Sequence, residues 1–287
     1  MNKPLSTQIP NFAIKALYYE VGISPKPGLV DRFDNGAHTD MDFFTFINSI
    51  ESLAPYFYRY YQLGIEHTTD LTELFIKLRK LGAKAEKDML LATKQINTHK
   101  GANFSFAVLL GATGFYMQNH SLPFSSQDTS AVLNLVVQMT NHLIQHDFSK
   151  IVQKEQLSHG EILYKDTGTL GVRGEASQGY PALSHLLLPF FRQHNKQEDT
   201  ETLLLRGLIL LMSQIEDSNL LHRGGINGWQ QTKKKSDLIH HSFLNNIEFK
   251  LALTELNQEL VKKNLSPGGA ADLLSLGIYF SFLENLI

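Results

Sequence analysis

The sequence predicts an all-α protein. Apolar residues recur at a spacing of about 3.6 along almost the whole chain, and the alternating pattern of half-buried strands is scarce. Hydrophobic residues make up 43% of the 287 residues, which is enough for a substantial core. Since no internal repeat or low-complexity linker is evident, we expect residues 1–287 to form a single compact multi-helix domain. We expect its active-site cleft to be built from loops and helix N-termini.

The N-terminal elements are predicted from punctuation as well as from periodicity. Residues 9–21 form a first helix, because Pro10 is tolerated in a first turn. The Pro- and Gly-rich stretch 22–38 is a loop, in which a Pro-Gly pair suits a type II turn with Gly28 at the position that needs positive φ. The order Thr-Asp-Met-Asp at 39–42 resembles a capping box ahead of the next helix.

The later helices are predicted from apolar periodicity between capping and turn residues. The helix that begins at Asn97 or Thr98 is apolar on all sides, so we expect it to be central and buried. Two stretches, 148–180 and 217–240, are predicted to be rich in loops. The helices predicted after the first cover residues 40–62, 70–94, 97–117, 127–147, 181–194, 200–216, 243–262 and 269–286.

Composition excludes several classes of protein. A net charge of −2 argues against a general nucleic-acid-binding surface, but it allows a local basic pocket for small anions. Without cysteine the chain forms no disulfides or thiolate metal sites, whereas its 12 His leave a His/carboxylate metal site open. The sequence has no export signal and no apolar run of the about 20 residues that a membrane span needs. We therefore expect a cytoplasmic protein with no nucleic-acid or membrane partner.

Five short clusters of glycine, charged and amide residues interrupt the helical pattern. A hydrophobic core does not need them. Glycine lets a ligand approach the backbone closely, cations and helix N-termini bind anions, and carboxylates handle protons, metals or developing positive charge. We therefore expect one site for a polyanionic substrate, assembled from the clusters at residues 20–31, 97–101, 171–176, 217–225 and 265–272.

The last cluster has the pattern of a helix start that can hold a phosphate. Ser266 fits the N-cap position and Pro267 the first helical position. Gly268 and Gly269 would then leave backbone N–H groups open to an anion, which the helix dipole favours. The alternative is an ordinary helix start that binds no ligand.

The second cluster has similar geometry. Asn97 or Thr98 precedes a helix whose first turn carries Lys100 beside the open backbone of Gly101, with His99 in the same start. A Lys in the first turn opposes the helix dipole. It therefore indicates either a bound anion or an exposed side chain without a role.

The first and third clusters each offer a cation. Lys26 lies between two prolines, which stiffen the loop and would present its ammonium group rigidly. A rigid surface loop with an unrelated Lys is the alternative. Arg173 is a bidentate ligand for phosphate or carboxylate beside Glu175, although the two residues also suit a mutual salt bridge at a turn.

The fourth cluster combines carboxylate, amide, imidazole and guanidinium groups. Glu216 and Asp217 follow an apolar helix at its C-terminal end, where the dipole disfavours carboxylates. Their position therefore indicates a metal or a substrate cation nearby. Asn219, His222 and Arg223 follow within a few residues, and this grouping favours a functional site over a structural histidine.

At these positions the chain resembles the triphosphoribosyl-dephospho-CoA synthase family. These enzymes make the prosthetic-group precursor of citrate lyase, and a close relative serves malonate decarboxylase. Ser218 stands where Thr is expected, Val172 where a smaller residue is usual and Asp34 where Asn is common, but no charged motif residue is lost. The matching segments, in family order, are EVGISPKPGLVDRFDNGAHTDMDFFTF at 20–46, NTHKGANFSF at 97–106, GVRGEASQGYPAL at 171–183, DSNLLHRGG at 217–225 and LSPGGAADLL at 265–274.

The resemblance implies a reaction between ATP and 3'-dephospho-CoA. A ribose hydroxyl of dephospho-CoA attacks C1' of the ATP ribose and adenine leaves, so ATP donates its triphosphoribosyl group. Such glycosyl transfer needs a base on the hydroxyl, an acid on the leaving group and stabilisation of an oxocarbenium-like transition state. Mg²⁺ is expected with ATP, because carboxylate and phosphate oxygens are its usual ligands. The product would pass to an acyl carrier protein transferase.

Within this reaction the candidate residues fall into three groups. The catalytic candidates are Asp217 or Glu175 near the reacting ribose, and Asp31. The candidate metal ligands are Asp217 and Asp272. The candidate substrate and phosphate ligands are Lys26, Asn97, His99, Lys100, Gly101, Arg173, Asn219, His222, Arg223, Ser266, Gly268 and Gly269.

Two other functions fit the same residues. A helical hydrolase of N-glycosidic bonds would use water as the acceptor and would release ribose-5-triphosphate. A non-catalytic helical module that binds a polyanion needs the cations, but it gains nothing from Glu175, Asp217 and Asp272 inside basic clusters. The sequence does not distinguish citrate lyase from malonate decarboxylase as the user of the product.

Overall fold

The protein is built from α-helices and their connections. The computed structural model describes residues 5–149, 157 and 159–287, and in these ranges there is no β-strand and no helix long and apolar enough to span a bilayer. The predicted all-α fold class is confirmed. The helices are α1 (Leu5–Gly22), α2 (Phe43–Ile65), α3 (Leu71–Ala92), α4 (Lys100–Tyr116), α5 (Ser126–Met139), α6 (Leu143–Phe148), α7 (His159–Thr167), α8 (Gly171–Ser177), a π-helical turn (Ala182–Leu187) continuing into α9 (Leu188–His194), α10 (Thr200–Gln214), α11 (Ser218–His241), α12 (Asn246–Lys262) and α13 (Gly268–Leu283).

Two apolar helices, α4 and α13, form the centre of the core. Both are buried over most of their length, because neither has a continuous polar face. α4 packs against α2, α3, α5 and α13, while α13 also packs against α1 and α10. The predicted burial of α4 is thereby confirmed. Both helices begin at the functional cleft, so the core fixes the two helix starts that shape it.

α2 and α4 cross with their backbones in close contact. A Cβ atom on Gly64 would lie 2.1 Å from the carbonyl oxygen of Gly111, and one on Gly114 would lie 2.3 Å from that of Tyr61. Only glycine allows such an approach. This crossing holds α4 firmly against α2, which also lines the cleft through Phe46.

Of two local predictions near the N-terminus, the turn is confirmed and the capping box is corrected. Gly28 has a φ of 72°, and the Leu29 N–H donates to the Lys26 carbonyl at 3.2 Å, as a type II turn requires. The capping box predicted at 39–42 is wrong in position, because Asp42 is the N-cap of α2 and forms its capping box with Thr45.

Several predicted boundaries are wrong. Most of the stretch 217–240, predicted to be rich in loops, belongs to the helix α11 (Ser218–His241), with a kink at Gly225, whose φ is 61° and ψ −168°. The glycines and the lysine run suggested a loop, but the glutamines and lysines after the kink are good helix formers. The predicted helix 127–147 is divided into α5 and α6, and α1 begins at Leu5, so that Pro10 lies inside it.

The other predicted loop-rich stretch, 148–180, contains more helix than expected. Its described part includes α7 and α8. Residues 150–156 and 158 lie outside the described residues. α8 carries the third cluster on a helix, which sets the direction of its side chains relative to the cleft.

Candidate active site

A cleft of about 1420 Å³ receives residues from all five clusters. A drug-sized ligand needs about 300–1,000 Å³, so this cleft has room for two nucleotides. All the candidate site residues except Asp31 and Asp217 line it. The clusters contribute, in chain order, Lys26, Lys100, Arg173, Asn219 and Gly268, among others.

Lys26 forms a buried ion pair in the cleft wall. Its Nζ atom lies 2.5 Å from Oε1 of Glu20, and only 2% and 5% of the two side chains are exposed. Burial raises the pKa of Glu20, and the Lys26 charge opposes that shift. The prolines therefore direct Lys26 inward to a carboxylate partner that the sequence did not identify. A substrate phosphate near Lys26 would therefore compete with the Glu20 carboxylate for the positive charge of Lys26.

Asp31 shapes the loop that carries Lys26. Its Oδ2 accepts hydrogen bonds from Ser24 Oγ at 2.9 Å and from the Lys26 N–H at 3.0 Å. Its Oδ1 accepts from the N–H groups of Phe33 and Asp34 at 2.8 and 3.0 Å. Both oxygens accept hydrogen bonds and the residue is 2% exposed. Asp31 therefore stabilises the loop and does not line the cleft.

The start of α13 is occupied by a carboxylate from another helix. Asp217 is the N-cap of α11, and its Oδ1 accepts from the N–H groups of Asn219 and Leu220 at 2.8 and 3.1 Å. Its Oδ2 accepts from the Ala270 N–H at 2.8 Å, and the Gly269 N–H also stabilises its charge. Asp217 thus links the starts of α11 and α13.

This geometry corrects the interpretation of Asp217 made from its position after an apolar helix. Because residue 217 precedes α11, the nearby helix dipole favours the carboxylate and calls for no metal or substrate cation. Burial nevertheless raises the pKa of Asp217, against the effect of the backbone N–H groups. The carboxylate is 2% exposed, with both oxygens turned to backbone donors.

The glycines at the start of α13 serve close packing. Pro267, not Ser266, is the N-cap, so the predicted N-cap is wrong. A Cβ atom on Gly268 would lie 2.8 Å from Nδ2 of Asn219, and one on Gly269 would lie 3.0 Å from Oδ2 of Asp217. The backbone that we expected to be open to phosphate is therefore in contact with the start of α11.

The start of α4 is occupied in the same way. Asp272, in the first turns of α13, holds its carboxylate against Gly101, where a Cβ atom would lie 2.2 Å from Oδ2. Burial, followed by the charges of Glu20 and Asp217, raises the pKa of Asp272 well above its ordinary value, and the Ala102 N–H opposes this shift. Unlike Asp217, Asp272 lines the cleft.

Lys100, also at the start of α4, has a carboxylate partner on α3. Its Nζ atom lies 2.6 Å from Oε1 of Glu86, and 48% of the Lys100 side chain is exposed. Asn97 steadies this turn, since its Oδ1 accepts from the Lys100 N–H at 3.3 Å. Lys100 therefore faces the cleft as a half-exposed cation, and the Glu86 carboxylate offsets the unfavourable interaction of its charge with the helix dipole.

His99 presents an unpaired ring nitrogen in the cleft wall. Its Nδ1 lies 2.7 Å from Ser49 Oγ, which accepts a hydrogen bond from Thr98 Oγ1 at 2.7 Å. Ser49 then donates its proton to Nδ1, so Nε2 carries the imidazole hydrogen. Nε2 is buried and has no hydrogen-bond partner among the described residues. Burial, then the Lys26 charge, lowers the pKa of His99 to about 3, so it is a neutral donor and not a cation.

Arg223 ties the fourth cluster to the loop at residues 22–38 and, through His38, to the fifth cluster. It donates from Nη1 to the Ala37 carbonyl at 2.9 Å and to Asn264 Oδ1 at 3.1 Å, and from Nη2 to His38 Nδ1 at 3.2 Å. His38 then donates from Nε2 to Ser266 Oγ at 2.9 Å. Burial and the Arg223 charge lower the pKa of His38, which keeps the ring neutral. The neighbouring His222 also lines the cleft.

Arg173 pairs with a carboxylate outside the clusters. Its Nε atom lies 2.8 Å from Oδ2 of Asp147. The alternative interpretation of the third cluster, a salt bridge between Arg173 and Glu175, is therefore wrong. Asp147 also accepts a bidentate pair from Arg79, at 2.6 and 2.9 Å. Both arginines line the cleft.

Glu175 faces the cleft from α8. Its Oε2 accepts from the Ala182 N–H at 3.2 Å, and no described residue donates to its Oε1. Burial raises the pKa of Glu175. Of the three catalytic candidates, Glu175 is the one whose carboxylate lines the cleft.

Several cleft residues escaped the sequence analysis. Glu20 stands at the edge of the first cluster, and its position beside a conspicuous Lys was the available signal. The others lie within regular helices or loops and carry no local motif that marks them. They are His38, Arg79 and Glu86, which line the cleft, and Asp147, which lies behind Arg79 and Arg173.

The fold is all-α, its cleft gathers cations and carboxylates from all five clusters, and comparison with known proteins gives the family. Residues 6–287 match the family model CitG, described as ATP:dephospho-CoA triphosphoribosyl transferase. The chain belongs to this family and is a transferase that uses ATP and dephospho-CoA, so the predicted resemblance is confirmed.

Curated relatives agree with this assignment over their full lengths. A protein of Streptococcus equi subsp. equi (strain 4047) is 49% identical over 99% of both chains. One of Streptococcus pyogenes serotype M18 (strain MGAS8232) is 50% identical over 100% of both chains. Each is described as "Probable 2-(5''-triphosphoribosyl)-3'-dephosphocoenzyme-A synthase". No solved structure matches the chain significantly.

Proposed function

We propose that the cleft joins the 5-triphosphoribosyl group of ATP to a ribose hydroxyl of 3'-dephospho-CoA, with release of adenine. The observation that carries this proposal is the meeting of all five clusters in one cleft with room for two nucleotides. The hydroxyl oxygen forms a bond to C1' of the ATP ribose and gives up its proton, while the bond from C1' to adenine breaks and adenine leaves with that electron pair and takes up one proton. The family of the chain supports the choice of both substrates.

Glu175 is the proposed base. Of the three catalytic candidates it is the one that lines the cleft, no described residue donates to its Oε1, and burial raises its pKa. A carboxylate with a raised pKa accepts a proton more readily, which suits removal of a hydroxyl proton as the bond to C1' forms.

Asp217 and Asp31 are proposed to act by positioning. Their oxygens accept hydrogen bonds from backbone groups of the segments that carry Lys26, Asn219 and Asp272. Neither carboxylate lines the cleft. Their expected contribution to turnover is therefore indirect, through the shape of the cleft.

We propose that substrates are bound by cations and by neutral donors together. Lys100, Arg173 and, through its shared charge, Lys26 suit the phosphates. His99 suits an acceptor atom on a substrate, because its buried Nε2–H lacks a partner. A donor left unpaired in the wall costs free energy that a bound substrate would recover.

Mg²⁺ is proposed to enter with ATP. Among the described residues, no group of three or more His, Asp or Glu side chains could hold a metal ion. The phosphates would therefore supply most of its ligands, with Asp272 as the candidate ligand that lines the cleft. When bound, Mg²⁺ would offset the negative charge of the triphosphate.

We further propose that the product is the prosthetic-group precursor of citrate lyase and is passed to an acyl carrier protein transferase. This part rests on the family resemblance of the five segments, and the malonate decarboxylase counterpart is the alternative. The product can be mixed with the acyl carrier protein and transferase of citrate lyase, or with those of malonate decarboxylase. Only the acyl carrier protein of the enzyme that uses the product should become modified.

Incubation with ATP, Mg²⁺ and 3'-dephospho-CoA, followed by mass spectrometry, tests the reaction. We expect adenine and a triphosphoribosyl conjugate in equal amounts. Accumulation of ribose-5-triphosphate without the conjugate would instead identify a hydrolase. Binding of ATP without any adenine release would identify a non-catalytic module.

A further inference from the structure

Resting on the proposed function, we propose that Arg79 and Arg173 form a phosphate clamp in the cleft, with Asp147 as the residue that positions both guanidinium groups. Arg173 was a phosphate candidate from its motif, but Arg79 and Asp147 belong to no motif. The clamp would bind a polyphosphate group of one of the two substrates.

The three side chains come from separate helices and meet at one carboxylate. Arg79 lies on α3, Asp147 on α6 and Arg173 on α8. Asp147 receives Nη1 and Nη2 of Arg79 at 2.6 and 2.9 Å and Nε of Arg173 at 2.8 Å. The Asp147 side chain is only 4% exposed, whereas those of Arg79 and Arg173 are 37% and 24% exposed. The carboxylate is thus buried beneath two guanidinium groups that line the cleft.

Charge separates this cluster from a structural ion pair. Two guanidinium groups share one carboxylate, so the cluster retains a positive charge on the cleft side even before the exposed His146 beside it is protonated. Burial raises the pKa of Asp147, but Arg79, His146 and Arg173 outweigh that effect and hold the pKa below its ordinary value. Asp147 therefore stays ionised while leaving one arginine charge uncompensated.

Guanidinium geometry suits phosphate in particular. Arg173 contacts Asp147 through Nε, which leaves its two terminal nitrogens without a hydrogen bond to any described residue. A guanidinium group can donate two parallel hydrogen bonds to phosphate oxygens, and a group fixed beforehand loses less entropy when it does so. Phosphate is therefore the ligand chemistry that this pair of arginines fits.

The molecule contains a matched structural pair for comparison. Arg192 donates to Glu284 from Nε at 2.8 Å and from Nη2 at 2.6 Å, with side-chain exposures of 30% and 4%. These values resemble those of Arg79 and Asp147, but neither Arg192 nor Glu284 lines the cleft. Loss of this pair reports the structural cost of removing a bidentate arginine.

The test measures binding of ATP and of 3'-dephospho-CoA separately, by calorimetry on the full-length protein. We expect Arg79→Gln and Arg173→Gln each to weaken binding of the clamped substrate about 10- to 100-fold, as loss of hydrogen bonds to a charged group does. Weaker ATP binding alone would assign the triphosphate to the clamp, and weaker dephospho-CoA binding alone would assign the diphosphate. Arg192→Gln should leave both affinities unchanged.

Asp147 is tested by steady-state kinetics. Asp147→Asn should raise the KM of the same substrate with kcat little changed, while Glu284→Gln changes neither. Unchanged affinities in both arginine variants would overturn the proposal. So would an equal loss of affinity for both substrates, if Tm also falls further than it does in Arg192→Gln. If wild-type protein binds both substrates but releases no adenine, the proposed reaction fails while the clamp is still decided by the binding data.

Discussion

Asp217→Asn offers the sharpest test of how the cleft is held together. The substitution preserves the size of the side chain and leaves one oxygen, which can still cap α11, because Asn and Asp are about equally good N-caps. The amide nitrogen then faces the start of α13, where Oδ2 now accepts from the Ala270 N–H at 2.8 Å. A donor would face a donor at a residue that is only 2% exposed.

The expected loss follows from these contacts. A hydrogen bond to a charged group contributes about 1.5–3 kcal/mol, and a buried N–H left unpaired adds to the cost. We therefore expect the free energy of unfolding to fall by about 3 kcal/mol. For a chain of this length, about 2 °C of Tm corresponds to each kcal/mol, so Tm should fall by about 6 °C.

The matched control is Asp199→Asn. Asp199 caps α10 through Thr202, with its oxygens 3.0 Å from the N–H and 2.7 Å from Oγ1, but it joins no second helix. Its Tm should change by no more than about 1 °C. Thermal unfolding and adenine release per folded molecule should be measured on both variants. An unchanged Tm in Asp217→Asn, together with lost turnover, would refute the positioning role and assign the carboxylate to catalysis.

Three further predictions address the cleft itself. Gly101→Ala should destabilise the protein by about 1–3 kcal/mol and lower both Tm and adenine release, because the added Cβ would lie 2.2 Å from a carboxylate oxygen. Gly22→Ala, where an added Cβ has no atom within 4 Å, should change neither. Glu175→Gln should reduce turnover by about 10²- to 10⁴-fold with the fold intact. Because burial raises the pKa of Glu175, protonation of this base should make wild-type kcat/KM decline as the pH falls, beginning above the usual glutamate range. A pH profile without this decline on the acid side would contradict the assignment. Ser49→Ala removes the hydroxyl that fixes the His99 tautomer, so KM should rise about 2- to 10-fold at nearly constant kcat, and an unchanged KM would refute the claim that Ser49 prepares His99 for substrate binding.

Periodicity and turn chemistry predicted most of the helices. The all-apolar pattern of α4 required burial on every side, and a Pro-Gly pair defined the turn at Gly28 without any tertiary information. α11 escaped this method because a polar helix and a loop have similar composition when glycines interrupt the pattern. The kink at Gly225 follows from the local conformation of one glycine, whereas the helix on either side of it is stabilised by packing against other parts of the protein.

The members of the cleft were easier to predict than their contacts. A glycine beside a helix start can admit a ligand or another helix, and only the position of Asn219 shows that Gly268 does the second. Lys26 was evident as a rigidly held cation, but its partner Glu20 became identifiable only when both were seen to be buried. Arg79 and Asp147 lie on ordinary helices, so no local signal announces that they meet.

The carboxylates at the helix starts have a consequence for how this chain can change. Asp217 links α11 to α13, and Asp272 links α13 to α4, so three distant parts of the sequence share one series of contacts. Replacing one member alters the surroundings of the next, and the effects of combined substitutions there will not be additive. In evolutionary terms, these acids and the glycines beneath them form an epistatic unit, whose members can drift only together although no stretch of the chain contains them all.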